Sequence, residues 1–208
     1  MRGSELNARI RASLEKLLES TDELRDLDQS MGDGDLGITI SAGSTAVISA
    51  LEALPEDTAP SDLATVCARA FANANPSTMA ALVAGALLAG SRTWTGKADI
   101  GVSDVHEFVD AGAASIARRG KTQVGDKTIL DGLVGVSHAL EDDASATEAL
   151  DAAVLAAAAA VESTTGLQSR RGRASWLQER SIGIPDPGAT ALLRFVEAWR
   201  ATGAAPAD

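Results

Sequence analysis

The chain has 208 residues, is 45% hydrophobic but only 3% aromatic with no tyrosine, and carries a formal net charge of −11. That length suffices for one substantial core without staples, and the lone Cys67 excludes a disulfide framework. The acidic balance lacks the clustered Lys and Arg that a nucleic-acid backbone demands, and the longest apolar runs, 79–90 and 152–161, fall short of the roughly 20 residues of a membrane-crossing helix.

Residues 4–20 place Leu6, Ile10, Leu14, Leu17 and Leu18 on one helical face. Residues 28–37, the run DQSMGDGDLG, interrupt the pattern. A second helix is expected over 36–54, ended by Pro55. A third follows Pro60, with Leu63, Val66, Cys67, Ala70 and Phe71 at helical spacing; on that stripe Cys67 reads as a core thiol, not a nucleophile. Asn75 and Pro76 read as the N-cap and first residue of a helix reaching Arg92, with the Ser77 and Thr78 hydroxyls in its first turn. After a connection at 94–101, Ser103 is expected to cap a helix holding Val105, Phe108, Val109 and Ile116 and closed by Arg118, Arg119 and Gly120. His106 has no companion at ligand spacing and reads as solvated or capping.

Residues 121–128 form a polar loop in which Lys127 has the chemistry of a phosphate clamp. Ile129, Leu130, Leu133, Val134, Ser137 and Leu140 continue as a helix, with His138 exposed or structural. Ser145-Ala-Thr-Glu148 is a capping box before an alanine-rich helix to Thr165. Residues 167–188 then gather Arg170, Arg171, Arg173 and Arg180, a set that either attracts anions or serves as surface charge. Asp186 and Pro187 start the last helix, buried through Leu192, Leu193, Val196 and Trp199. Eight helices and no alternating strand predict a single all-α domain over 1–208, an antiparallel bundle. With no signal-peptide core at its start, the chain is expected in the cytoplasm.

The chemistry concentrates in 28–37. Asp28, Asp33 and Asp35 bring three charges together, which repel unless a cation lies among them. Oxygen ligands without His or Cys suit Mg²⁺, which keeps waters and shares a phosphate. Gly32, Gly34 and Gly37 can take positive φ, and Gly37 stands where a helix start offers free N–H groups to an anion. An EF-hand does not fit, because the sixth and twelfth positions from Asp28 are Asp33 and Thr39. A plain Asp/Gly turn between helices remains open.

Residues 27–39 (LDQSMGDGDLGIT) resemble the signature of the nucleotide-binding L-type domain of dihydroxyacetone kinases. Two further stretches resemble the same family in the same order: RGKTQVGDKTILD at 119–131 and QSRRGRASWLQERSIGIPDPGA at 168–189. The likeness extends over nearly the whole chain, and the third stretch is the most specific. It implies an eight-helix up-and-down barrel with ADP or ATP at one end and two Mg²⁺ ions on Asp28, Asp33 and Asp35. It implies nucleotide contacts at Leu36, Gly37, Ile38 and Thr39 and at Pro76, Ser77 and Thr78, with Ser77 on a phosphate. Gly120 and Ile129 would border the adenine, Arg173 would reach the nucleotide from a lid, and Asp186, Pro187 and Gly188 would stand beside sugar and base. Two positions depart from the family: Leu36 replaces a frequent His, and the 75–78 turn has Asn and Pro where relatives have a glycine-rich turn.

By the same resemblance the chain is the phosphoryl-transferring subunit of a ketose kinase. The acceptor, a triose or tetrulose, is bound by a separate K-type subunit, since no residue here is an evident base for a sugar hydroxyl. A free-standing L-type chain is the form fed by a phosphotransferase-system protein that rephosphorylates bound ADP, whereas the two departures favour exchange of ATP. The other readings are a non-catalytic, nucleotide-dependent regulatory protein and a helical domain with an incidental cation site. A homodimer is left open.

Overall fold

The computed structural model describes residues 1–141 and 145–203, whose regular secondary structure is helical apart from one isolated bridge between Arg2 and Asp99. The α-helices are α1 (Gly3–Leu18), α2 (Thr21–Met31), α3 (Asp35–Glu52), α4 (Pro60–Ala74), α5 (Thr78–Ser91), α6 (Val102–Gly120), α7 (Ile129–Ala139), α8 (Ala146–Thr165) and α9 (Pro187–Gly203), with 3-10 segments at Arg92–Trp94 and Arg173–Ser181. The all-helical class is as the sequence implies, and α2 is a helix beyond the eight. It is short and largely polar, burying only Leu24 and Met31, so its apolar periodicity is too sparse to announce it.

Several boundaries follow from caps. Pro60 opens α4, where a missing N–H costs nothing. Ser145 and Glu148 cap α8 reciprocally, each side chain accepting from the other's backbone N–H. Thr128 and Asp131 do the same for α7. Two expected caps shift. Asn75 is extended and ends α4, so Ser77 caps α5 by accepting from the Ala80 N–H at 3.0 Å; Pro76 forces its predecessor out of helical geometry. α6 starts at Val102 rather than after Ser103, because the Asp104 carboxylate accepts from the Gly101 N–H at 2.7 Å.

Each helix from α3 to α9 packs on the next, and α1 packs on both α3 and α9, closing the ring; α2 lies against α3. The three residues between α4 and α5 extend about 10 Å, far less than either helix, so the pair runs antiparallel. The main cluster joins Leu6, Leu24, Leu51 and Leu63 across α1 to α4. Each such leucine contributes about 1.5–3 kcal/mol on burial. Ala149, Ala153 and Ala157 form a buried stripe of α8 facing Val136 and Leu193, the close axial approach that small residues allow. Cys67 is buried in the main cluster, which pushes its thiol up to about 12 and makes it unreactive. No helix among the described residues is long and apolar enough to cross a membrane.

In an antiparallel ring, alternate connections emerge at the same end. The α2–α3, α4–α5, α6–α7 and α8–α9 connections therefore share one end, and these four carry the segments singled out by their chemistry.

Candidate functional site

The acid loop is built from both sides of the α2–α3 turn. α2 presents Asp28 in its last turn, Gly34 reverses the chain in the left-handed region at φ 75°, and Asp35 opens α3. Of the three glycines expected to use positive φ here, only Gly34 does so. Gly37 serves close approach instead, since a Cβ there would stand 2.6 Å from Arg25 Cβ and 2.7 Å from Thr21 O on α2. One carboxylate oxygen from each of Asp28, Asp33 and Asp35 lies within 4.8 Å of the others. Burial pushes the Asp28 carboxyl above its ordinary range and its acidic neighbours add to the rise; the Leu36 N–H, donating to Asp28 Oδ2 at 3.1 Å, and Arg173 oppose it. The Arg173 guanidinium pairs with Asp33 and lies 3.6 Å from Asp35 Oδ2. An all-oxygen donor set that draws in a guanidinium fits a hard divalent cation.

The phosphate side of the expectation divides. The Leu36 side chain is buried in the main core, so only its backbone borders the acid loop. Ile38 is exposed, whereas Thr39 is 1% exposed and holds the α4–α5 turn: Asn75 Nδ2 donates to Thr39 Oγ1 at 2.9 Å, and Thr39 Oγ1 donates to Ser77 Oγ at 3.2 Å. Pro76 and Thr78 are exposed at the mouth of α5, a helix start whose Ala80 N–H is taken by Ser77.

Three expected base-side residues converge on the first two turns of α5. A Cβ on Gly188 would lie 3.2 Å from both Ile129 Cβ and Met79 Cε, and one on Gly120 would lie 3.8 Å from both Leu82 methyls. Asp186 caps α9 by accepting from the Ala189 N–H at 2.7 Å, with Pro187 buried behind it. Burial pushes the Asp186 carboxyl up to about 7.

Lys127 is not a phosphate clamp. It is 1% exposed, and its ammonium donates to the carbonyls of Leu167 at 3.0 Å and of Ser181 and Ile184, each at 2.6 Å. Its three protons match three backbone acceptors, so it ties down both ends of the 167–184 segment. Asp126 completes the tether: its carboxylate takes Arg171 Nε at 2.8 Å and its carbonyl takes the Arg170 N–H. Although burial works against ionisation, Arg171 and the Gln123 N–H hold the Asp126 carboxyl below its usual range. Between these anchors the segment runs over the acid loop, touches α2, and leaves Trp176 80% exposed. Residue type alone did not reveal Asn75 as a hydrogen-bonding link or Asp126 and Lys127 as a tether. The only signal was buried charge potential next to a family-like loop.

Residues 30–201 match the DAK2 domain family. The chain is 31% identical over 186 residues to the PEP-dependent dihydroxyacetone kinase ADP-binding subunit DhaL of Escherichia coli K12, covering 84% of each. It is 34% identical to the PTS-dependent counterpart of Lactococcus lactis, again over 84% of each. L-erythrulose 1-kinase of Mycolicibacterium smegmatis is 35% identical over 85% of this chain, which spans only 31% of that protein. The crystal structure of the dihydroxyacetone kinase from C. freundii in complex with AMP-PNP and Mg²⁺ superposes with a TM-score of 0.77 at 22% identity, over 97% of this chain and 34% of that one. The family match spans most of the chain, two full-length subunits resemble it along most of their own length, and its fold is that of the C. freundii enzyme over about a third of the latter. On these grounds the chain belongs to the DAK2 domain family, whose members include the DhaL subunits of dihydroxyacetone kinases.

Proposed function

We propose that this protein is the nucleotide-binding, phosphoryl-transferring subunit of a dihydroxyacetone-type kinase, working in the cytoplasm on a ketose carried by a separate K-type subunit. The observation that carries the reading is the meeting of an all-oxygen acid triad, the α5 first turn and a cationic lid at one end of the barrel. Relatives named as ADP-binding subunits support nucleotide as the ligand.

In this reading Asp28, Asp33 and Asp35 hold two Mg²⁺ ions, which neutralise charge on the transferring phosphoryl group when bound. The Leu36 N–H fixes the orientation of Asp28, and Gly34 sets the turn that brings Asp33 and Asp35 alongside it. Ser77, Thr78 and the free N–H groups of α5 receive phosphate oxygens, with the 36–39 backbone beside them. Gly120, Ile129 and Gly188, which pack closely around Met79 and Leu82, would form the apolar border of the base, with Asp186 and Pro187 setting the start of α9 at its edge. Arg173, which pairs with Asp33, would be within the site to reach the phosphates, and the 167–184 segment would exclude water as a lid. No side chain here acts as base for the acceptor; positioning and electrostatics carry the reaction.

For the donor, retained ADP rephosphorylated by a phosphotransferase-system protein is favoured, since relatives similar over nearly their full length are named as PEP- or PTS-dependent. The second reading, ATP exchange by a triose or tetrulose kinase, draws on Leu36, whose buried side chain offers a phosphate nothing. Protein purified in Mg²⁺ and then denatured decides between them: near-stoichiometric ADP supports the bound-cofactor cycle, and empty protein that turns over added ATP with a K-type partner supports the other. Failure to transfer phosphate from either donor in the presence of partner and ketose would leave the regulatory reading.

A further inference from the structure

We infer that Asn75 and Thr39 are positioning residues that fix the Ser77 hydroxyl as a hydrogen-bond donor to a bound phosphate, a role that rests on the nucleotide reading above. The argument follows the protons. The Asn75 Nδ2 amide group can only donate, and it does so to Thr39 Oγ1 at 2.9 Å. Thr39 is 1% exposed, so its own proton needs a protein acceptor, and Ser77 Oγ at 3.2 Å is the one within reach among the described residues. Ser77 Oγ also accepts from the Ala80 N–H at 3.0 Å. Both acceptor positions of the serine oxygen are then taken, and its proton enters no hydrogen bond among the described residues. Ser77 is partly exposed at the mouth of α5, so this proton is directed outward, where only an acceptor improves the arrangement. A phosphate oxygen is such an acceptor, and water or a neutral carbonyl gains less from a hydroxyl already polarised by two donors.

The relay also joins the two halves of the site. Thr39 lies one turn beyond Asp35 on the same face of α3, and Asn75 ends α4, so the acid loop and the α5 turn are held in register by two hydrogen bonds.

The test is a double-mutant cycle on the dissociation constant for Mg·ADP, with the melting temperature of each nucleotide-free variant as a folding control. Thr39→Val and Ser77→Ala should each weaken binding by about tenfold or more, and the double variant should bind no worse than Ser77→Ala alone, because Thr39 acts through Ser77. Thr39→Ser, which keeps the hydroxyl and loses the methyl, should bind more tightly than Thr39→Val; a packing role for Thr39 reverses that order. If Thr39→Val does not fold, Asn75→Asp, which turns the relay round at nearly constant size, should weaken binding in the wild-type background and add nothing in the Ser77→Ala background. Thr39→Val binding like wild type, or losses that add in full, would overturn the relay while leaving the nucleotide reading intact. Wild-type protein that does not bind Mg·ADP removes that reading and the relay with it.

Discussion

Arg173 in the 167–184 segment rests its guanidinium against Asp33 in the acid loop, so the charge that compensates the loop comes from the segment lying over it. If the carboxylates hold metal as proposed, a metal would compete with Arg173 for them, and Arg173 would then be available to the phosphates. Arg173→Ala should weaken Mg·ADP binding by about tenfold while Mg²⁺ alone binds at least as well as to wild type. Calorimetric titrations with each ligand check this, and unchanged ADP affinity would contradict the assigned role.

Lys127 is expected to decide whether the lid keeps its ends. Lys127→Met fills the same space but orphans the carbonyls of Leu167, Ser181 and Ile184. The cost should be about 2–4 kcal/mol, less than three full desolvation penalties because the lid can loosen and rewet. Denaturant unfolding gives the stability, and limited proteolysis should cut within 167–184 faster than in wild type. Equal cutting would mean that the tether does not limit lid motion.

Asp186 gives stability a pH dependence of its own. Its folded pKa, about 7, lies above the ordinary value of 3.8, so the native state binds the proton more tightly. Its contribution is complete below about pH 4 and is lost as pH rises toward 7. Asp126, held low, works the other way and loses its contribution as pH falls through the acid range. Melts between pH 5 and 8 should show wild-type stability falling. Asp186→Asn, which still accepts the cap hydrogen bond, should flatten that fall by up to about 3 kcal/mol, the roughly two pH units from 5 to 7 at about 1.4 each. A wild-type profile flat over this range would show that Asp186 stays ionised.

Most of the helices were legible in the sequence, because Leu6 to Leu18 and Leu63 to Phe71 repeat at helical spacing and Ser145 with Glu148 announces a start. α2 was not, since two buried side chains in eleven residues leave no stripe to read. The acid triad was readable because its three members lie within eight residues of sequence and repel unless shared. The remainder depends on contacts between distant segments. Lys127 has the composition of a phosphate clamp and becomes a structural tether only because residues 167–184 fold over it. Asn75 looks like an ordinary cap until α3 brings Thr39 within hydrogen-bonding distance. Residue type marks what a side chain can do, and the fold selects which partner it meets.

The central claim is that the acid triad holds metal for a nucleotide at this end of the barrel. The most direct measurement is calorimetric titration of ADP into the protein with and without Mg²⁺, for wild type and Asp35→Ala. The account predicts tight, Mg²⁺-dependent binding to wild type and at least a hundredfold loss in Asp35→Ala, in line with removing a charged ligand worth about 3 kcal/mol, with the melting temperature of the nucleotide-free variant equal to or above that of wild type because a repulsive charge is gone. Binding of ADP that is indifferent to Mg²⁺, or that survives unchanged in Asp35→Ala, would contradict it.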